Sequence, residues 1–148
     1  MKNFGFTHKT GILLPISSLP SNYGIGSFGS SAYKFIDFLL ETRQTCWQIL
    51  PLNPTSYGDS PYQSPASLAG NPYFIDLDLL YKDGLLTKEE LRENINKSKK
   101  VDYGWLFNTR FNVLRNAFSR FTKNSDYEDF LNRSNYWLND YAKFMALK

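Results

Sequence analysis

The chain has 148 residues, 42% of them hydrophobic and 21% charged, with a formal net charge of +3. That is one domain's worth of sequence with enough apolar material for a core, which excludes an intrinsically disordered chain, and the charge is too small to mark a nucleic-acid-binding protein. A single cysteine, Cys46, excludes an internal disulfide framework and fits a reducing, cytoplasmic compartment.

Cys46 lies in an apolar run, so a buried inert thiol is expected there. His8 is the only histidine, which leaves no metal-ligand spacing and no ready triad with Cys46. Residues 1–10 lack the apolar core of a signal peptide, and no apolar run reaches transmembrane length, so neither a metal nor a membrane is expected. Aromatic residues make 17% of the chain, which fits either an aromatic-lined site or a phenylalanine-rich core.

Gly11-Ile-Leu-Leu-Pro15 reads as a buried strand closed by proline. A loop follows over Ile16 to Gly29. Its fragment Gly24-Ile-Gly26-Ser-Phe-Gly29 has the spacing of a dinucleotide fingerprint, but the long loop before it and the lack of a suitably placed acid speak against that reading. Ser30 or Ser31 then caps a helix to about Arg43, with Ala32, Phe35, Ile36, Leu39 and Leu40 on one apolar face. Thr45 to Leu50 is a second strand, closed by Pro51. Strand, helix and strand in this order make a parallel unit. The loops after both strands therefore converge on the rim where parallel α/β proteins bind ligands.

Within the second of those loops, Pro51 to Pro72, the stretch from Gly58 to Pro72 is too rich in Gly, Pro, Ser and Asn for a helix or strand and too long for an ordinary connection. Its short polar groups frame Tyr57 and Tyr62, a combination suited to a sugar, which offers hydroxyls and a C–H face. The plain alternative is a surface Ω-loop without a ligand. Beyond it, Tyr73 to Leu80 starts extended and turns helical, and Asp83-Gly84 ends that helix. Thr87 caps a short helix, with Glu90 completing a capping box. Lys97 to Lys100 reads as a solvated linker. A helix is expected from Tyr103 to Lys123, with Phe107, Phe111, Leu114, Phe118 and Phe121 on its buried face. Lys97 to Lys123 holds seven basic residues and one acid, Asp102, yet Arg110 and Arg115 fall off that apolar face, so a core with a solvated face explains them better than nucleic acid. Asp126 to Lys148 is helical again, with Phe130, Trp137, Leu138, Tyr141, Ala142, Phe144 and Met145 expected inside. The pattern at Lys148 reads as interrupted.

Several of these stretches together resemble one family, the amylomaltase or disproportionating type of 4-alpha-glucanotransferase. They are Gly11 to Pro15, Ser18 to Pro20, Tyr23 to Gly26, Trp47 to Leu52, Tyr57-Gly-Asp-Ser-Pro-Tyr-Gln-Ser64, Ala69 to Pro72, Ile75 to Leu77, Trp137 to Ala142 and Phe144 to Lys148. The resemblance implies an α/β fold, the N-terminal part of a (β/α)8 TIM barrel, with first strands, helix and rim loops in residues 1–80 and a helical insertion subdomain in 81–148. It implies a cofactor-free retaining enzyme of maltodextrin metabolism, which transfers an α-1,4-glucan segment to the 4-hydroxyl of another glucan or of glucose. By the same resemblance Tyr62 belongs to the site of the transferred sugar, Ser60 contacts glucan and Tyr57 makes a secondary glucan contact. Asp59 and Gln63 are supports in the same motif. Retaining transfer needs two carboxyl groups about 5 Å apart. The family's carboxylates lie past Lys148, so no catalytic residue is expected within this sequence, and the chain reads as an N-terminal portion that is inactive alone and pairs with the missing remainder. A lone Asp59 is expected to orient its turn by an Asx-type bond. The competing reading is a non-catalytic glucan-binding module.

Overall fold

Two short strands, β1 (Gly11–Leu13) and β2 (Cys46–Gln48), pair in parallel, with Gly11 opposite Cys46, Ile12 opposite Trp47 and Leu13 opposite Gln48. They belong to a computed structural model that describes residues 9–147, and His8 lies outside the described residues. The parallel pairing around one helix is the expected strand–helix–strand unit. Pro15 and Pro51, which lack a backbone donor, close the runs soon after each strand. At the start of β1 the chains come close, since a Cβ on Gly11 would lie 2.5 Å from the Cys46 carbonyl oxygen. The Trp47 indole N–H donates to the Leu14 carbonyl at 2.8 Å and locks the exit of β1. Cys46 corrects the expectation of a buried thiol. Side chains alternate along a strand, and with Trp47 turned inward Cys46 is left exposed.

Helix α1 (Ser30–Glu41) starts without a serine cap. Gly29 is the capping residue, and the Ser31 hydroxyl instead donates to the Pro20 carbonyl at 2.7 Å, tying the helix to the loop before it. Its buried face holds Ala32 and Leu39, with Phe35 set edge-on to Trp47 at 4.8 Å between ring centres. Ile36 and Leu40, expected on that face, are exposed together with Tyr33 and Phe38. A helix laid on two strands has one side covered, and the apolar stripe of α1 is wider than that side.

The chain then passes through a short 3-10 turn at Pro72–Phe74 into α2 (Leu77–Lys82), α3 (Lys88–Glu93), α4 (Tyr103–Arg120) and α5 (Ser125–Leu147). Asp76 caps α2 by accepting the Leu79 N–H at 3.0 Å, and Gly84, at φ +74°, turns the chain out of it. The capping box of α3 is as expected: the Thr87 hydroxyl accepts the Glu90 N–H at 3.2 Å, and the Glu90 carboxylate accepts the Thr87 N–H at 2.7 Å. Tyr23, Leu77, Leu86, Leu91, Val113 and Ala117 form one core, and Ile25, Tyr73 and Leu106 another, so packing joins residues on both sides of position 80.

The buried face of α4 differs from the expected one. Leu106, Arg110, Val113 and Ala117 are inside, whereas Phe107 and Phe118 are exposed. Two neighbouring stripes on this helix share the same helical spacing, and the buried one brings Arg110 to the loop carbonyls. Arg110 is 2% exposed, and its guanidinium donates to the carbonyls of Tyr23 at 2.8 Å and Ile75 at 3.3 Å. Burial pulls its pKa down to about 10, so it stays charged at neutral pH, supported by the nearby Asp76 carboxylate. In α5 only Ser134 is buried; Phe130, Ala142, Phe144 and Met145, expected inside, are exposed, and Trp137, Leu138 and Tyr141 are half-buried. No packed neighbour covers the rest of that stripe among the described residues. No described helix is long and apolar enough to cross a membrane.

Candidate functional site

Parallel strands put both C-terminal ends on one side, and the two long loops meet there. The Gly26 N–H reaches back to the Ser17 carbonyl at 3.1 Å, and the Asn71 N–H closes the second loop on the Leu52 carbonyl at 2.8 Å. Two successive turns build the tip of that second loop, with Asp59 N–H donating to the Ser56 carbonyl at 3.0 Å and Gln63 N–H to the Ser60 carbonyl at 3.1 Å. Gly58 (φ +90°) and Asp59 (φ +56°) sit in the left-handed region, which glycine enters freely and aspartate better than most residues. The expected Asx-type bond is absent: no described donor meets the Asp59 carboxylate. Ser60 orients the turn instead, its hydroxyl accepting the Tyr62 N–H at 3.3 Å.

The structure divides the five residues singled out from the sequence. Tyr57, 99% exposed, and Asp59 line a groove of about 620 Å³ whose other wall is Tyr73, Tyr103, Phe107 and Asn108. Ser60, Tyr62 and Gln63 lie outside this groove, Tyr62 standing 73% exposed on the loop. The far wall is an aromatic stack: Tyr73 lies 5.7 Å from Phe111 and 6.2 Å from Tyr103, and Phe107 meets Phe111 edge-on at 6.3 Å. Burial first, and the negative charge of Asp59 next, push the Tyr73 and Tyr103 hydroxyls above the ordinary phenol range, so both stay protonated donors. An exposed tyrosine face, an exposed phenylalanine, a carboxylate and an amide around one groove suit a ligand with both hydroxyls and an apolar face.

Tyr73, Tyr103, Phe107 and Asn108, which line the groove, are not singled out as site residues by the sequence. Phe107 carried a signal, as one of five aromatic or aliphatic residues at helical spacing, but the same spacing reads as core. Its 68% exposure beside the loop is what assigns it to the groove.

The remaining carboxylates near the rim are engaged. Asp76 accepts the Ser27 hydroxyl at 2.6 Å besides capping α2, and Asp78 accepts the Tyr23 hydroxyl. Desolvation, then that hydrogen bond, raises the Tyr23 pKa. The same cluster disposes of the dinucleotide fingerprint. A Cβ on Gly29 would lie 1.8 Å from a carboxylate oxygen of Asp76, so an anion already stands at the start of α1, where a phosphate would have to bind. Gly26 is likewise a packing glycine, its Cβ position 2.0 Å from the Ile16 carbonyl oxygen.

Comparison with known proteins identifies the family. The 4-alpha-glucanotransferase family pattern matches residues 14–148. A 4-alpha-glucanotransferase of Clostridium butyricum is 53% identical over 137 residues, which is 90% of this chain and 28% of that protein. One from Streptococcus pneumoniae serotype 4 is 48% identical over 146 residues, 95% of this chain and 29% of its own length. The solved structure of an amylomaltase from Streptococcus agalactiae in complex with acarbose superposes with a TM-score of 0.88 at 44% identity, covering 96% of this chain and 30% of that one. The chain thus spans under a third of the length of these relatives, and within that span it belongs to the 4-alpha-glucanotransferase family.

Proposed function

We propose that this chain forms the sugar-facing rim of a 4-alpha-glucanotransferase, the retaining enzyme that moves an α-1,4-glucan segment to the 4-hydroxyl of another glucan or of glucose in cytoplasmic maltodextrin metabolism. The observation that carries it is the groove between the fully exposed Tyr57 and the largely exposed Phe107, with Asp59 at its edge. In this reading Tyr57 and Phe107 hold the apolar face of a glucose unit, and Asn108 and Asp59 take its hydroxyls. Ser60, Tyr62 and Gln63, on the neighbouring turn, contact the transferred sugar and its neighbours.

Residues 1–80 make the first part of a (β/α)8 barrel, and 81–148 a helical insertion against which the groove is built. Asp59 is the one carboxylate lining the groove among the described residues, whereas retaining transfer takes two about 5 Å apart. The pair is therefore supplied from outside this sequence. The uncovered apolar side chains of α1, Tyr33, Ile36, Phe38 and Leu40, are the surface on which that remainder of the enzyme packs. The test is to incubate the purified, folded chain with maltotriose and follow products by mass spectrometry. The proposal expects no glucose and no longer maltodextrins. A product ladder that persists through stringent purification would place catalytic carboxylates in this chain and overturn the division of labour.

A further inference from the structure

Asn71 is 6% exposed, and three of its groups are bonded: its N–H to Leu52, its carbonyl to the Phe74 N–H at 3.1 Å, and its side-chain oxygen to the Tyr73 N–H at 3.0 Å. The last bond fixes the orientation of the amide, because the opposite flip would set two N–H groups against each other. Its Nδ2 is left as a buried donor without a partner among the described residues. Leaving such a group unsatisfied costs about 1–3 kcal/mol, so a site that keeps one normally supplies an acceptor.

Asn71 lines a cavity of about 90 Å³ at the C-terminal ends of both strands. The walls include Ser17 from the first loop, Tyr103 from α4, and Thr55 and Pro61 from either side of the Tyr57 turn. The volume is far below the roughly 300 Å³ of a small-molecule site. A water occupies about 30 Å³ and needs two to four polar partners, so the space suits up to about three waters. Ser17, Thr55, Tyr103 and Asn71, all bearing polar side chains, are among its lining residues, enough polar groups to meet that requirement.

We propose that Asn71 is a positioning residue whose Nδ2 holds ordered water beneath the second loop, and that this water ties Thr55 and the Tyr57 turn to the strand ends. Its consequence for sugar recognition rests on the groove reading given above; the water and its hold on the loop do not. Two substitutions separate the bridge from simple packing. Asn71→Ser keeps an oxygen to cap the Tyr73 N–H but removes the amide donor, and Thr55→Val removes a hydroxyl from the loop side without touching that cap.

Hydrogen exchange of the Asp59 and Gln63 amides reads the loop, and exchange in α4 reads the core. Each variant should speed exchange of the two loop amides roughly tenfold, the scale of one lost hydrogen bond, and leave α4 unchanged. The double variant should exceed neither, because both cut one bridge. A high-resolution crystal structure of the full chain should place a water within hydrogen-bond distance of Asn71 Nδ2. Unchanged loop exchange, equal acceleration in α4, additive effects, or a protein group filling the cavity would each overturn the proposal. If Asn71→Ser fails to fold, Thr55→Val still decides by the same readout. Failure of the wild-type chain to bind maltooligosaccharide would instead sink the groove reading and leave this test intact.

Discussion

Helices α4 and α5 carry similar apolar patterns and meet different fates. In α4, Leu106, Arg110, Val113 and Ala117 are buried, and the helix is pinned to two loops by a guanidinium. In α5, 23 residues long, only Ser134 is buried, and Trp137, Tyr141 and Phe144 line an open groove with Pro65 and Leu68. The outer side of α1 resembles α5 in this respect. Periodicity states which residues want burial, while the neighbours present decide which obtain it. One part of the molecule is thus a closed packing unit, and the other leaves large apolar side chains exposed.

Substitutions that sample the two parts should separate widely. Leu106→Ala, at a side chain with 0% exposure, should cost about 3 kcal/mol in urea unfolding, the transfer term plus a cavity. An intermediate effect is expected at the α3–α4 junction. Arg120 donates to both Glu90 carboxylate oxygens, at 2.8 and 3.1 Å, and hydrogen bonds from Arg120 first and the Thr87 N–H second hold the Glu90 carboxyl at about 2, against an ordinary 4.5. A depressed carboxyl stabilises the fold fully above its unfolded value. The contribution should therefore be constant above about pH 4.5 and fall away toward pH 2. Solvent reaches the pair, so Glu90→Gln should cost under about 1 kcal/mol at pH 7 and flatten this part of the acid limb. Phe144→Ala, at a side chain 49% exposed, should move stability by no more than about 0.5 kcal/mol. A cost there equal to that of Leu106→Ala would erase the contrast between the helices.

The parts of the fold set by local chemistry were legible in the sequence. Pro15 and Pro51 marked the strand ends, Thr87 and Glu90 the capping box, and Asp83-Gly84 the exit from α2. Choices made by tertiary packing were not. Arg110 looked like a solvated cation because nothing local announces two carbonyls waiting inside. Gly29 displaced the serines as the cap of α1 because Asp76, far along the chain, closes against it. The motif from Tyr57 to Ser64 marked one wall of the groove through Tyr57 and Asp59, yet nothing in it pointed to Tyr73, Tyr103, Phe107 and Asn108 across the groove. Tyr103, Phe107 and Asn108 line that groove because α4 leaves Phe107 outside its buried face.

The most direct test of the account is to titrate the isolated chain with maltooligosaccharides and follow side-chain resonances by NMR, for the wild type and for Tyr57→Ala. The account predicts shifts at Tyr57, Tyr103 and Phe107 in the wild type, and loss of binding in a Tyr57→Ala chain that unfolds at the same urea concentration. Absence of shifts at those residues, or binding that survives Tyr57→Ala unchanged, would contradict the assignment of this groove to sugar.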